Sequence, residues 1–317
     1  MSAPSSTERT RGALWGALTG DALGVPVEFQ SREAVKRNPV TGMRGFGTHN
    51  QPAGTWSDDS SLLLCSTESL VESGGFDGRD MGERFVRWEA QAYWTPHGRV
   101  FDIGIATSQA LSRIANGVPA EAAGGADEFS NGNGSLMRIL PVALWFATSP
   151  TATLLDAVHR ASSLTHRHPR SQMACGLYAL LVRELLLGQP PEAALQRALF
   201  NFAAAYDEPP YLAERPHFQQ LEVGHLSELP ESAVASSGYV MHTLTASIWC
   251  LFTSSSFEET VLRAVNLGSD TDTTGCVAGG LAGLLYGVSS IPAEWLGLLA
   301  RRNEVKGLFD RFVESAG

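Results

Sequence analysis

Two segments of the sequence combine neighbouring acids with hydroxyl residues. Residues 57–60 (Ser-Asp-Asp-Ser) stand immediately before an apolar stretch, where a serine followed by acids also makes an ordinary helix start. Residues 270–274 (Asp-Thr-Asp-Thr-Thr) hold more acids than a helix cap requires. Carboxylate and hydroxyl oxygens suit Mg²⁺ or Mn²⁺ and do not suit zinc. If the two segments converge, their carboxylates and hydroxyls can bridge two divalent ions about 3.5–4 Å apart.

A glycine-rich segment, residues 131–135 (Asn-Gly-Asn-Gly-Ser), precedes a predicted helix. Free backbone N–H groups at such a helix start can cradle an anion, so a phosphate site is one interpretation. Asn-Gly is also a common turn dipeptide, which leaves an ordinary turn as the other interpretation.

Several titratable residues are ambiguous on spacing alone. His166 and His168 have no companion Cys or His at zinc-ligand spacing, so we expect them to be surface histidines. Glu28 follows the first predicted helix, and Asp102 precedes another. Either acid could be a helix cap or a solvated side chain, and spacing does not distinguish them from other acids.

Helical periodicity extends along the chain, and strict alternation of apolar and polar residues is hard to find. We therefore predict an all-α fold in a single domain over residues 1–317. Two stretches interrupt the pattern, 117–132 and 206–237, and we predict that both are long surface loops. The predicted helices cover residues 10–24, 58–73, 79–93, 102–116, 135–147, 151–163, 170–188, 191–205, 239–253, 256–267, 273–287 and 292–314.

Glycine is abundant, with 32 in 317 residues, and part of the excess is periodic. It recurs every fourth residue from Gly12 to Gly24 and again from Gly275 to Gly287. This spacing makes a stripe without side chains along one face of each helix. Each interior helix glycine costs about 1 kcal/mol relative to alanine, so close backbone packing should offset the loss. We predict that both helices lie at the centre of the fold, where the two stripes could face each other.

Composition limits the function classes. The net charge of −10 argues against a broad nucleic-acid-binding surface, which would be basic. The four scattered cysteines are interpreted as reduced core thiols. Because the sequence shows neither the apolar core of a signal peptide nor an apolar run of about 18 residues, we expect a soluble cytoplasmic protein. We also expect the protein to be a monomer.

Taken together and in this order, the motifs resemble those of the ADP-ribosylglycohydrolase family, whose bacterial type member removes ADP-ribose from an arginine of dinitrogenase reductase. The resemblance implies a compact orthogonal bundle of helices with a binuclear Mg²⁺ or Mn²⁺ centre at its heart. It covers most of the chain and rests on segments 16–24, 57–60, 102–104, 131–138, 165–166 and 270–275.

The resemblance also implies a role for each candidate residue. His166 would line the ADP-ribose cleft, Glu28 resembles an acid near the distal ribose, and Asp102 resembles an acid that handles the proton. Which of these two acids does so here is left open. The family usually has threonine where this chain has Ser57, so the ligand oxygen is kept. The loop holding the diphosphate would comprise Gly132, Asn133, Gly134 and Ser135. The metal ligands would be Ser57, Asp58, Asp59, Asp270, Asp272 and Thr273.

The function implied is metal-dependent hydrolysis of the N-glycosidic bond between ADP-ribose and an arginine side chain. The partners would be two Mg²⁺ or Mn²⁺ ions and an ADP-ribosylated protein or ADP-ribose derivative. One alternative is hydrolysis of another linkage, to serine, to an acetyl group as in O-acetyl-ADP-ribose, or to a nucleic-acid base. Another is a non-catalytic ADP-ribose binder, because the resemblance extends to lens proteins that have lost activity. A purely structural metalloprotein is a third.

Overall fold

The computed structural model describes residues 3–222 and 226–316. Within these residues the secondary structure consists of helices and three isolated β-bridges, without a β-strand, which confirms the all-α prediction. The α-helices are α1 (Ser6–Gly24), α2 (Arg32–Arg37), α3 (Asp58–Ser73), α4 (Gly78–Gln91), α5 (Ile105–Ala115), α6 (Leu140–Trp145), α7 (Thr151–Ser163), α8 (Pro169–Leu186), α9 (Pro191–Ala205), α10 (Gln219–Glu222), α11 (Val240–Phe252), α12 (Phe257–Val265), α13 (Thr271–Tyr286), α14 (Ala293–Leu298) and α15 (Arg302–Ser315).

Local capping explains where the first helices begin. α1 starts four residues before its predicted position because Ser5 and Glu8 form a capping box. The Glu8 N–H donates to Ser5 Oγ, and the Ser5 N–H donates to the Glu8 carboxylate. α3 begins after Ser57, as predicted, and ends at Gly74, whose φ of 65° is left-handed.

Two predicted helices are shorter or broken. The prediction of one helix over 292–314 is wrong, because the chain leaves helical geometry between α14 and α15. There the Ala300 N–H donates to the Gly54 carbonyl, and Arg301 takes a left-handed φ of 45°. The predicted helix over 135–147 is a 3₁₀ turn, Leu136–Arg138, followed by the short α6, which begins beside Pro141.

The stretch 206–237 is not the free surface loop that its composition predicted. It contains 3₁₀ helices at Tyr211–Phe218, Leu226–Glu228 and Glu231–Ala233, in addition to α10. Phe218, Leu221 and other apolar side chains in it are buried against the core. Its residues 223–225 lie outside the described part of the chain.

The apolar side chains of the helices form a contiguous buried cluster. All four cysteines are free and buried in the protein, which agrees with the prediction of reduced core thiols. Among the described residues, no helix is both long enough and apolar enough to cross a membrane.

The two glycine-striped helices, α1 and α13, pack antiparallel against each other. A Cβ added to Gly16 would lie 2.3 Å from the Gly279 carbonyl oxygen, and one added to Gly20 would lie 1.9 Å from that of Gly275. Real Cβ atoms essentially never approach other atoms so closely, so the two backbones touch along the stripe. Both helices are buried along nearly their whole length, which confirms that they are central.

The stripe ends differently at its two extremities. Gly24 lies against the backbone of Asp272, where an added Cβ would be 2.4 Å from the Asp272 Cα atom. Gly287 ends α13 with a left-handed φ of 80°; a Cβ added to Gly12 would lie 2.8 Å from its carbonyl carbon, and a Cβ added to Gly287 itself would meet Pro4. The contact therefore brings the start of α13, with its acids, against the end of α1.

We predict that Gly20→Ala lowers the free energy of unfolding by roughly 3 kcal/mol, because the new methyl group must separate the two backbones. The matched control is Gly307→Ala on α15, where an added Cβ meets nothing within 4 Å and should stabilise the helix by up to about 1 kcal/mol. Urea denaturation followed by circular dichroism measures both changes. Equal stabilities of the two variants would contradict close packing at Gly20.

Candidate functional site

The two acidic segments converge, which is the condition that the sequence analysis set for a shared cation site. Thr273 Oγ1, in the first turn of α13, lies 3.3 Å from Asp59 Oδ2 in the first turn of α3. Ser57 Oγ donates to the same Asp59 oxygen at 3.0 Å. The backbone N–H of Thr273 donates to Asp272 Oδ1 at 2.9 Å. The helix starts thus bring the residues of both segments to one place.

Asp21, which the sequence analysis did not single out, orders the start of α3. Its buried carboxylate accepts hydrogen bonds from the backbone N–H groups of Ser57 and Ser60, each at 3.0 Å, and from Ser60 Oγ at 2.5 Å. One oxygen from each of Asp21, Asp59 and Asp272 lies within 4.8 Å of the others. One feature of the sequence could have pointed to Asp21: it is an acid within the glycine-striped helix, one residue after Gly20.

A second observation, independent of the sequence motifs, indicates that these oxygen ligands suit divalent cations. Buried carboxylate oxygens in this cluster lack a hydrogen-bond partner among the described residues, namely Asp59 Oδ1, Asp270 Oδ1 and Asp272 Oδ2. Leaving a buried carboxylate oxygen unpaired costs free energy, and a bound cation would remove that cost. All-oxygen donors favour Mg²⁺ or Mn²⁺ over softer metals.

The raised pKa values of the acids in this cluster also indicate a place for a cation. Burial, followed by the neighbouring carboxylates, raises the pKa of Asp58, Asp59 and Asp272 well above the usual range. Burial also raises the pKa of Asp21 to about 6, although the hydrogen bonds from Ser57 and Ser60 oppose the shift. Like charges held together in a buried place disfavour their own ionisation. Positive charge is what this cluster lacks.

Glu28 and Asp102 approach the cluster from separate loops. Glu28, Asp270 and Asp272 each offer an oxygen within 4.8 Å of the others, and Glu28 also lies within this range of Asp102 and of His49. Burial is the main cause that raises the pKa of Glu28 to about 7, with the charges of Asp102 and Asp270 adding to it and the His49 hydrogen bond opposing it. His49 was missed by the sequence analysis, and no motif in the sequence marks it.

The glycine-rich loop is joined to the second acidic segment. Asn133 Nδ2 donates to Asp270 Oδ2 at 2.7 Å and to Thr243 Oγ1 at 2.8 Å. The backbone N–H of Asn133 donates to the Gly238 carbonyl at 3.0 Å. The loop predicted to hold an anion therefore lies directly beside the carboxylates.

His166 lies beneath this loop. The imidazole is 2% exposed, and its ring would clash with a Cβ at Gly134, 2.8 Å from His166 Cε1. Thr165 Oγ1 pairs with His166 Nδ1 at 2.8 Å, and Thr165 itself accepts a hydrogen bond from buried Arg138. Burial, together with Arg138, lowers the pKa of His166 to about 3, so the ring is neutral.

The expectation of surface histidines is therefore wrong for both residues of the pair. His168 is 8% exposed because its ring caps α8, with Nδ1 accepting from the Arg170 N–H at 3.2 Å. Ser135 also points inward. Its hydroxyl contacts Ser162 Oγ at 2.9 Å and Cys175 Sγ at 3.4 Å, so only its backbone is available to a ligand in the loop.

Comparisons with known proteins agree over nearly the whole chain. The family model for ADP-ribosylglycohydrolase matches residues 2–317. The ADP-ribosylarginine hydrolase Tri1 of Pseudomonas putida is 33% identical over 310 residues, which cover 98% of this chain and 79% of that protein. The ADP-ribosyl-[dinitrogen reductase] glycohydrolase of Rhodospirillum rubrum is 29% identical, covering 100% of this chain and 99% of the relative. A solved structure described as an ADP-ribosylglycohydrolase-related protein complex aligns over 99% of both chains, with 37% identity and a TM-score of 0.82.

We predict that Mg²⁺ or Mn²⁺ raises the melting temperature of chelator-treated protein by roughly 5 °C at a hundred times the dissociation constant, because binding stabilises the folded state alone. Asp272→Asn and Asp59→Asn should remove this shift. The control is Asp207→Asn, at an exposed acid after α9. Thermal scans with and without metal measure the shift within each variant. An undiminished shift in Asp272→Asn would contradict the site.

Proposed function

Since the chain belongs to the ADP-ribosylglycohydrolase family, we propose that it hydrolyses the N-glycosidic bond between ADP-ribose and an arginine side chain of a modified protein. Glycosyl hydrolase activity on ADP-ribosyl substrates follows from the family and from the named hydrolases among its relatives. The choice of arginine is the further step. The relative from Pseudomonas putida supports it, because that protein is named an ADP-ribosylarginine hydrolase.

One observation carries the proposed metal dependence: Asp59, Asp270 and Asp272 each have a buried carboxylate oxygen without a hydrogen-bond partner among the described residues. We assign the metal ligands to the two converging segments, and bound Mg²⁺ or Mn²⁺ would supply positive charge and Lewis acidity there. The proposed ligands are Ser57, Asp58, Asp59, Asp270, Asp272 and Thr273.

The chain's own residues account for the remaining requirements of the reaction. Cleavage of a glycosidic bond passes through an oxocarbenium-like state and needs an acid near the leaving group and a base near the water. Glu28 and Asp102 lie at the edge of the cluster and within reach of each other. The guanidine takes up a proton as the C–N bond breaks, so one carboxyl of this pair, in its acid form, would donate that proton, and the carboxylate it leaves would stabilise the guanidinium product by charge. The other carboxylate is then free to orient and deprotonate the water.

The glycine-rich loop would bind the diphosphate. Gly132 and Gly134 leave room for the His166 ring, which packs closely against both and supports the loop from beneath. Asn133 fixes the loop relative to Asp270, so a diphosphate held by the loop would place the attached ribose near the acids.

We predict that the wild type releases ADP-ribose from an arginine-linked substrate only with Mg²⁺ or Mn²⁺, and that Asp58→Asn or Asp272→Asn lowers the rate by at least about 100-fold. A panel of arginine-linked, serine-linked and acetyl-linked substrates, each assayed with each metal, measures the linkage and the metal together. Asp207→Asn again serves as the control and should keep full activity. Turnover of serine- or acetyl-linked substrate alone would replace the arginine assignment, and tight ADP-ribose binding without turnover would indicate a binder.

We also predict that Gly134→Ala weakens ADP-ribose binding by about 10-fold or more, because the added methyl group must displace His166 or Thr107, whose Oγ1 lies 3.1 Å from the new Cβ position. Isothermal titration calorimetry with ADP-ribose measures the change, and Gly307→Ala provides a control glycine outside the site. Unchanged affinity in Gly134→Ala would show that the loop does not hold the ligand.

A further inference from the structure

His49 is paired with Glu28 at the edge of the acidic cluster. His49 Nε2 makes a short hydrogen bond to Glu28 Oε2, and the two side chains are only 11% and 6% exposed. The imidazole also comes within 4.8 Å of an oxygen of Asp102. An imidazole N–H therefore meets a carboxylate that has no other side-chain hydrogen bond among the described residues and that lies among other acids.

The loop that carries His49 is built against the segment that carries Glu28. Thr48 Oγ1 donates to the Glu28 carbonyl at 2.7 Å, and Gln51 Nε2 donates to the His49 carbonyl at 3.1 Å. Gly47, with a left-handed φ of 71°, lies so close to Pro26 that an added Cβ would be 2.0 Å from the Pro26 oxygen. The position of His49 is therefore fixed by the backbone on which Glu28 stands.

The loop of residues 46–51, which carries His49, has an unfavourable backbone conformation. Phe46 and Asn50 have left-handed φ values of 66° and 50°, and Phe29, next to Glu28, has one of 62°. Non-glycine residues in this region cost about 1–3 kcal/mol each and persist where the surroundings enforce them, most often at functional sites. The loop contributes little to the core, since residues 46–48 and 50 are exposed.

Two aromatic rings keep the imidazole in place. The ring of His49 packs against Phe29 at a centroid distance of 5.8 Å and against Phe101 at 5.2 Å. Phe101 immediately precedes Asp102, so these ring contacts connect the segments of both candidate catalytic acids. Packing sets the orientation of the ring, and the ring orientation directs Nε2 at Glu28.

We propose that His49 is a positioning residue that holds the Glu28 carboxylate at the reacting centre. Without the Nε2 donor, repulsion from Asp102 and Asp270 would favour rotation of Glu28 away from the cluster. This inference rests on the proposed function, in which Glu28 acts on the ADP-ribosyl substrate. It adds to that function a residue of the 46–51 loop, outside the acidic segments.

Two substitutions of His49 separate its hydrogen bond from its packing. His49→Phe keeps a ring between Phe29 and Phe101 and loses the donor, so kcat should fall about 30-fold while KM changes little. His49→Gln retains a side-chain N–H donor and should recover most of the lost rate. His97→Phe is the matched control, because His97 pairs with Thr55 Oγ1 at 2.8 Å and not with an acid. It should keep wild-type kinetics.

The decisive measurement is a double-mutant cycle with Glu28→Gln. If His49 acts through Glu28, His49→Phe should change kcat by less than about twofold in the Glu28→Gln background. Full activity of His49→Phe would overturn the proposal. The proposal would also be overturned if the two losses multiply in the double variant, that is, if His49→Phe still slows the Glu28→Gln enzyme about 30-fold.

A measurement without turnover distinguishes this proposal from the proposed function. In ¹⁵N-histidine-labelled protein, the His49 Nε2 proton should give a downfield, slowly exchanging NMR signal that is absent in His49→Phe and shifts in Glu28→Gln. A wild type that releases ADP-ribose from none of the substrates contradicts the proposed function alone. A wild type that lacks the downfield signal overturns the His49–Glu28 positioning, whether or not it turns over substrate.

Discussion

The backbone contact between α1 and α13 is the constraint on which the site depends. Because glycines face each other along the stripe, the two helices approach more closely than any side chain would allow. The same contact ends with Gly24 against Asp272, so the first turn of α13 is fixed relative to the end of α1. Asp21, one residue after Gly20, then reaches α3 and holds its first turn. Three helices are thereby set in register by one interface.

This arrangement explains how mutually repelling acids come to share a buried space. Carboxylates do not assemble by their own attraction, so the free energy that gathers Asp59 and Asp272 must come from packing elsewhere. The α1–α13 interface and the surrounding core provide it, at the cost of raised pKa values and unpartnered oxygens. A fold that brings acids together in this way is poised to gain stability from cations. Cation binding by this cluster and the stability of the fold would therefore be coupled.

Local sequence patterns predicted the parts of the molecule that depend on local spacing. The helical class and the two stripes follow from periodicity, whereas the meeting of the acidic segments was implied only by the resemblance to a known family. The failures involve residues whose environment depends on distant segments. Nothing near His49 in the sequence indicates that its ring reaches Glu28. Likewise, the burial of His166 depends on the glycine loop folding over it, and the break before α15 depends on a hydrogen bond from Ala300 to Gly54.

The site is consequently made of two kinds of structure. The acids of the two segments stand on the first turns of buried helices, where a change of geometry would disturb the core. Glu28, by contrast, lies in a loop and is surrounded by other loops. Of the seven non-glycine residues with a left-handed φ in the described chain, four lie in these loops, namely Phe29, Phe46, Asn50 and Ser269. Substitutions in exposed loops such as residues 46–50 should disturb the fold less than substitutions in the first turns of buried helices. Substitutions in this exposed loop should therefore reach Glu28 with less cost to the fold than substitutions at the helix starts.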